Sequence, residues 1–223
     1  MYKLKRPEDT NRRINFIINT ATDKTKDSSE SKKTAAIALS VIIFLFSISF
    51  YGQSSKEETW KADIESCSKA IKLNPKNSQA YFNRAFKKNL LNDYKGAIED
   101  LTKTIELNPK KDSAYYLRGV CIYLLQDYKE AIKDLTKAVE LNLNLGNAYV
   151  FRGLCKSGLT DYKGAIQDYT KAIELNPKNV GAYSSRGNSK GNLGDTEGAC
   201  LDWKKASELG YMGDKDLITK YCK

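Results

Sequence analysis

The chain contains no histidine and only four prolines among its 223 residues. Without histidine it lacks the commonest general base and the commonest zinc ligand. Its five cysteines form no CxxC pair, so no zinc motif is present, and a cysteine nucleophile would lack its usual histidine partner. Glycine-rich phosphate loops of standard spacing and the GxSxG motif are also missing. We therefore predict a protein that is not an enzyme, with no catalytic residue, no cofactor and no metal ion.

Basic residues outnumber acidic ones, with 37 Lys and Arg against 27 Asp and Glu. A net charge of +10 could attract nucleic acid or an anionic surface. The lysines are spread along the whole chain, however, which is typical of solvated helix faces. Nucleic acid is therefore disfavoured as a partner.

One uncharged apolar segment covers residues 35–51, directly after Lys32, Lys33 and Thr34. As a helix it would be about 25 Å long, at the lower limit for a hydrocarbon core of about 30 Å. A buried core helix would carry a polar stripe, and this segment has only three serines. We interpret residues 35–52 as a transmembrane anchor or a signal segment.

The flanks of this segment predict its orientation. Residues 1–34 carry nine basic and five acidic residues, whereas residues 53–65 are slightly acidic. The positive-inside rule then places the rest of the chain on the non-cytoplasmic side, in the periplasm or cell envelope. The sequence does not distinguish a cleaved signal from an uncleaved anchor. An uncleaved chain would contact the membrane through residues 35–51. We expect residues 1–34 to form a disordered basic tail and residues 53–59 to form a linker.

A repeat of 34 residues follows. Asn-Pro pairs at 74–75, 108–109 and 176–177 are separated by 34 or by twice 34 residues. Tyrosines, arginines and Glu-Leu pairs recur with the same period. A fixed period in this range indicates stacked supersecondary units. The recurring tyrosines and arginines are Tyr81, Tyr115, Tyr149 and Tyr183, and Arg84, Arg118, Arg152 and Arg186.

Each unit is predicted to be a pair of helices. Ala97, Ile98, Leu101 and Ile105 follow the spacing of one helical face. Asn-Pro ends that helix, and the junction at Asn142 lacks this stop signal because Leu143 follows. Small residues at 85, 119, 153 and 187, and at 97, 131, 165 and 199, would let the two helices approach closely. The predicted N-caps are Asp93, Asp127, Asp161 and Asp195, with Glu130 placed to complete a capping box.

The run Tyr115-Tyr-Leu-Arg-Gly119, with Asp127-Tyr-Lys-Glu-Ala-Ile132 and Ala138-Val-Glu-Leu141 after it, resembles the tetratricopeptide repeat family. Four full copies cover residues 78–111, 112–145, 146–179 and 180–213, so that the repeats span 78–213. Residues 60–77 resemble a half repeat, and residues 214–223 form a predicted capping helix with Leu217, Ile218 and Tyr221 on one side. The departures from the family pattern are Leu143, Lys88, Lys156, Lys190 and Thr196.

The resemblance implies an all-α fold. We expect a right-handed α-solenoid of stacked helical hairpins, with the half unit before them, the capping helix after them and one N-terminal apolar helix. The arginines at 84, 118, 152 and 186 are matched by aspartates at 100, 134, 168 and 202, sixteen residues later. Structural pairing within each hairpin is the favoured interpretation of these two ladders. Recognition of an acidic or phosphorylated ligand by the arginines is the alternative.

Cys200 and Cys222 form a candidate disulfide. Cys200 takes the place of the isoleucines at 98, 132 and 166, so it should face the stack, and Cys222 lies on the predicted cap of that face. Export would favour the bond, and the chain end around these cysteines resembles that of many exported bacterial members of the family. Two buried thiols are the alternative. Cys121 and Cys155 occupy equivalent positions in neighbouring units and should lie too far apart for a bridge.

Members of the family generally bind ligands in a concave groove lined by the first helix of each unit. By register the resemblance implies that an apolar N-terminal half of this groove binds a hydrophobic segment of a protein or peptide. Alternatively, Phe82 and Phe86 pack only on the half repeat and the linker. The implied function is a non-catalytic interaction scaffold, and the runner-up is a structural subunit or assembly factor of a membrane-associated complex. The implied groove residues are Phe82, Phe86, Asn89, Tyr116, Val120, Tyr123, Val150 and Leu154.

Overall fold

The computed structural model describes residues 55–213 and 215–222. The chain divides into two compact units, residues 1–59 and 60–223. Within the first unit only residues 55–59 are described, and the basic tail and the apolar segment of the sequence analysis lie outside the described residues. In the part of the chain that is described, no helix is long and apolar enough to span a bilayer.

Residues 55–73 are helical, and the stretch 60–73 within the second unit is called α1 here. Residues 55–59, predicted as part of a linker, are helical in the structure. The physical reason is local, because Lys56, Glu57 and Glu58 are good helix formers and no proline or glycine interrupts them.

The second unit consists of consecutive helical hairpins. Each hairpin packs on the next one along the chain, and no strand occurs in the described residues. The predicted all-α solenoid of four full units, preceded by a half unit and followed by a capping helix, is confirmed for this part of the chain. The helices after α1 are α2 (Ser78–Leu90), α3 (Tyr94–Leu107), α4 (Asp112–Leu124), α5 (Tyr128–Leu141), α6 (Gly146–Gly158), α7 (Tyr162–Leu175), α8 (Val180–Asn192), α9 (Thr196–Glu208) and α10 (Lys215–Tyr221).

The turn inside each hairpin combines an N-cap with one left-handed residue. All four predicted aspartate caps are confirmed, since each carboxylate accepts a hydrogen bond from the backbone N–H three residues later. The capping box is only half formed, because the Glu130 carboxylate pairs with Lys133 and the Asp127 N–H donates to the Ile122 carbonyl. The residue directly before each cap has a left-handed backbone. These residues are Asn92, Gln126, Thr160 and Gly194, with φ values of 62°, 67°, 63° and 84°.

The second helix of a hairpin ends in the same way with or without proline. Helix α5 stops at Leu141 although Leu143 replaces the expected proline. The Asn142 side chain makes the turn, because its Oδ1 accepts from the Asn144 N–H at 3.1 Å and its Nδ2 donates to Asp112 Oδ2 at 2.7 Å. Asparagine therefore supplies the stop signal that the sequence analysis attributed to proline.

Close approach of the paired helices requires small residues, as predicted. A Cβ atom added at Gly153 would lie 2.7 Å from the ring of Tyr169, which is completely buried. Gly119 faces Leu135 and Gly187 faces Trp203 at similarly short distances. A large side chain of the second helix thus occupies the space that each glycine leaves free, which fixes how the hairpin closes.

Helix α10 covers one end of the second unit. Leu217, Ile218 and Cys222 pack against the buried cluster of Ala199, Cys200 and Trp203. Tyr221, predicted on the packed side, is half exposed, although its ring lies 6.4 Å from that of Trp203. Cys222 takes the packing position instead, because it is tied to Cys200.

Candidate functional site

The four arginines are held by the aspartates of their own hairpins. Each guanidinium donates through Nε and Nη2 to the two carboxylate oxygens of the partner aspartate, which is a bidentate ion pair. Arg84, for example, lies 2.9 and 2.6 Å from the two oxygens of Asp100. The structural interpretation of the ladders is confirmed, and these arginines are already engaged within the fold.

The third donor of each arginine reaches the preceding unit. Arg118 Nη1 donates to Thr102 Oγ1 at 3.0 Å, and the other three arginines make the same bond. The sequence analysis missed these acceptors, although they recur with the 34-residue period. Each arginine therefore joins two neighbouring hairpins as well as the two helices of its own. The acceptors are Ser68, Thr102, Thr136 and Thr170, at distances of 3.0, 3.0, 3.3 and 3.0 Å.

The lysines that depart from the family pattern belong to the same network. Lys88 Nζ lies 2.8 Å from Asp100 Oδ2, and Lys156 and Lys190 pair equally closely with Asp168 and Asp202. Each of these lysines therefore gives a buried carboxylate a second cation.

The N-terminal groove residues line a cleft between α1 and α2. Phe82 and Phe86 form its apolar part, and its volume is about 450 Å³. Phe86 is 44% exposed, which is unusual for a phenylalanine in a folded domain. An ion pair between Lys87 Nζ and Asp63 Oδ2, at 2.7 Å, joins the two helices beside it. The cleft therefore has accessible aromatic surface, and the two charged side chains beside it already pair with each other. Its other lining residues are Ser66, Cys67 and Asn83.

Phe82 is more constrained than Phe86. It packs against the buried cluster that contains Ala85 and Leu101, and Lys111 Nζ lies 4.5 Å from the centre of its ring. Phe82 thus contributes to the core of the full repeats, while Phe86 presents its ring to solvent.

The middle of the predicted groove is filled by its own aromatic side chains. The Phe151 ring lies 6.0 Å from that of Tyr116 and 5.5 Å from that of Tyr123, edge to face in both pairs. Burial raises the pKa of both tyrosine hydroxyls. Val120, also predicted to face a ligand, is only 9% exposed. Sequence reasoning missed Phe151, which stands one position beyond the groove register.

The remaining predicted positions are partly covered. Asn89 is engaged by the buried Cys121, whose thiol lies 3.4 Å from the amide oxygen. Val150 and Leu154 are of intermediate exposure on α6 and Val150 packs against the central core cluster. Of the eight predicted groove residues, Phe86 is the one classed as exposed. The structure thus concentrates accessible apolar surface at the N-terminal end.

The cysteines divide into one bonded pair and three free thiols. Cys200 and Cys222 are disulfide-bonded with their Cα atoms 5.5 Å apart, and the bond fastens α10 to α9. Cys121 and Cys155 are free and fully buried, and burial raises the pKa of each thiol to about 12. In the described part of the chain, no three Cys, Asp or Glu side chains are grouped as a metal site would require.

Family models match three overlapping stretches. A tetratricopeptide repeat model matches residues 66–99, the model of anaphase-promoting complex, cyclosome, subunit 3 matches residues 90–172, and a TPR repeat model matches residues 160–194. Together they cover residues 66–194, and they coincide with the hairpins described above. This chain carries tetratricopeptide repeats.

Solved tetratricopeptide repeat structures superpose on the chain. MamA is 25% identical with a TM-score of 0.66, over 76% of this chain and 96% of MamA. YrrB, described as a TPR protein with an unusual peptide-binding site, is 20% identical with a TM-score of 0.64, over 91% of this chain and 97% of YrrB, which shows the fold alone.

A third structure was solved with a peptide in place. The first TPR of Spaghetti (RPAP3), bound to an HSP90 peptide, is 25% identical with a TM-score of 0.52, over 52% of this chain and 93% of that one. No curated protein matches the sequence of this chain significantly.

Proposed function

We propose that this chain is a non-catalytic scaffold whose tetratricopeptide repeats hold an apolar segment of a partner protein at the N-terminal end of the groove. The observation that carries the proposal is the cleft between α1 and α2, where Phe86 is 44% exposed beside Phe82. Exposed aromatic surface in a concave site favours burial against an apolar side chain of a ligand. The partner's segment would insert there and extend along α2 and α4.

The similar structures support peptide binding as the class of activity. YrrB is described by its peptide-binding site, and the RPAP3 repeat was solved with a peptide of HSP90. That peptide, SRMEEVD, is acidic at its C-terminal end. In the present chain Lys87 is already paired with Asp63 and the cleft presents phenylalanine rings, so the proposed ligand is apolar instead of acidic.

A structural subunit without a discrete ligand is the second candidate. The packing of Phe151 onto Tyr116 and Tyr123 favours it, because the centre of the groove is occupied by the chain itself. Under this candidate the exposed ring of Phe86 would serve permanent assembly instead of exchange with a peptide.

We further propose that the repeats act on the non-cytoplasmic side, exported or anchored by residues 35–51. The support is the uncharged segment behind Lys32 and Lys33, with a basic flank before it and a slightly acidic flank after it. A phosphatase fusion after Lys223, active only when exported, tests this location. A fusion that is produced at full length but shows no phosphatase activity would reject it.

Site-specific photocrosslinking tests the binding function. A benzophenone amino acid at position 86 should link the protein to one or a few defined partners, because the side chain lies in the proposed site. The matched control is the same amino acid at Lys103, an exposed position on α3. Partners captured equally from both positions, or none from position 86, would contradict the proposal. A partner that dissociates on dilution indicates peptide-like exchange, whereas one that never separates supports the structural subunit.

A further inference from the structure

A second apolar surface lies at the other end of the repeats, on α9 and α10. Leu201 is 65% exposed and Tyr221 is 46% exposed, and both line a cleft of about 500 Å³. The equivalents of Leu201 in the three preceding units are the polar residues Glu99, Lys133 and Gln167, all exposed. Leu201 therefore departs from the repeat pattern. Its position is exposed in the other repeats, so packing within the fold does not explain an apolar side chain there.

Two lysines accompany this apolar surface. Lys204 stands at the repeat position where Ser68, Thr102, Thr136 and Thr170 accept the arginine of the next unit. Among the described residues the short helix α10 follows α9 in place of a further hairpin. Lys204 therefore makes no such bond and is an exposed cation instead. Lys220, in register with the arginines, lies 5.0 Å from the centre of the Tyr221 ring. Neither lysine forms an ion pair with the described residues, in contrast to the lysines of the buried ladder.

The disulfide holds the two halves of this surface together. Leu201 and Lys204 lie on α9, whereas Lys220 and Tyr221 lie on the seven-residue helix α10, which has no fully buried residue. Cys200 and Cys222 line the same cleft and bond the two helices beside it. Glu197 also lines the cleft, in the first turn of α9 where the helix N-terminus favours a carboxylate.

We propose that this surface is a second docking site, for a protein segment that carries an apolar side chain flanked by carboxylates. The apolar side chain would be buried between Leu201 and Tyr221, and the carboxylates would pair with Lys204 and Lys220. Charge complementarity selects the acidic flanks, because the cleft offers two unpaired cations against one carboxylate. The site is separate from the Phe86 cleft, so the scaffold would join two partners.

A pair of synthetic peptides tests this assignment on the full chain by fluorescence anisotropy. One peptide has a leucine between glutamates, and the other has the same leucine between lysines. The acidic peptide should bind, and the basic peptide should bind at least about tenfold more weakly. Leu201→Glu should weaken binding of the acidic peptide about tenfold or more, whereas Gln167→Glu, the matched substitution one unit earlier, should leave it unchanged. Lys204→Glu replaces one of the two proposed cations without altering α10, and it should also weaken binding of the acidic peptide.

Two further measurements separate this proposal from the first one. Cys222→Ser should weaken binding of the acidic peptide, because α10 is then no longer bonded to α9. Phe86→Ser should leave its affinity unchanged, since the Phe86 cleft lies at the other end. Equal binding of the two peptides, no binding of the acidic one, or full affinity of Leu201→Glu would overturn the assignment, whatever the outcome of crosslinking at position 86.

Discussion

Arg118 forms two hydrogen bonds with Asp134, at 2.7 and 2.8 Å, and no lysine of the described residues joins them. In the other three full repeats a lysine pairs with the equivalent aspartate. The second full repeat has Ile122 at the position of that lysine. Asp134 is buried and depends on a single cation. The four repeats thus share one network with one weaker member, which makes their arginines experimentally distinguishable.

Arg118→Met should therefore destabilise the protein more than Arg152→Met. Loss of Arg118 leaves the buried Asp134 without a counter-ion, at an expected cost of about 3–5 kcal/mol in the free energy of unfolding. Loss of Arg152 leaves Asp168 still paired with Lys156 at 2.8 Å. Denaturant unfolding measures both values. Equal losses for the two variants would show that the lysines contribute nothing to the buried network.

Gly153→Ala should destabilise the hairpin of α6 and α7. The added methyl group would lie 2.7 Å from the buried ring of Tyr169. Overpacking of this kind typically lowers the free energy of unfolding by about 1–3 kcal/mol. Gly191→Ala is the matched control inside a helix, because its Cβ would meet the Trp203 ring at an ordinary distance of 3.5 Å. We expect the control to be neutral or stabilising by up to about 1 kcal/mol. A stable Gly153→Ala would mean that Tyr169 moves without cost.

Thr160→Gly should stabilise the protein by up to about 1 kcal/mol. Thr160 is β-branched and has a φ of 63°, a left-handed conformation that glycine adopts without steric cost. The reverse change in the last unit, Gly194→Ala at a φ of 84°, should destabilise by about 1 kcal/mol. Thermal unfolding of the two variants checks the signs. Shifts of the same sign in both would contradict the role assigned to this turn position.

The free thiols should differ sharply in reactivity. Burial raises the pKa of Cys121 and Cys155 to about 12, so at pH 8 both remain protonated, and both are also shielded from reagent. Burial raises the pKa of the partly exposed Cys67 as well, so we expect one slow adduct per native molecule. Mass spectrometry after alkylation without reductant should show that adduct and a linked Cys200–Cys222 peptide. Five alkylated cysteines would reject the pairing.

The fold was predictable from the sequence because its determinants are local and repeat. Aspartate caps, Asn-Pro stops and small residues at contact positions each act within a few residues or across one hairpin. The 34-residue period displays the caps and the small residues four times and the Asn-Pro stops three times. The junction at Asn142 was misjudged because an asparagine side chain can replace the effect of proline. The helical state of residues 55–59 was not predicted, although Lys56, Glu57 and Glu58 are good helix formers.

The groove was less predictable, because exposure depends on side chains from neighbouring units. Register alone places Tyr116, Val120 and Phe86 on the same face. It does not show that Phe151 covers Tyr116 and Tyr123, while Phe86 has no such neighbour among the described residues. The hydroxyls that accept from the arginines were also missed, since they become meaningful only when two hairpins are stacked. The register of the repeat thus predicts which helix face lines the groove, whereas side-chain packing determines which residues of that face are exposed.

The affinity of the partner crosslinked at position 86, measured by calorimetry, tests the central claim most directly. Phe86→Asp should weaken that affinity at least about tenfold, because it places a charge in the apolar cleft. Leu143→Asp changes a different exposed apolar residue, which is 66% exposed in the loop between α5 and α6, and should leave both affinity and stability unchanged. Unchanged affinity in Phe86→Asp, with its unfolding free energy also unchanged, would contradict the assignment of the cleft between α1 and α2 as the partner-binding site.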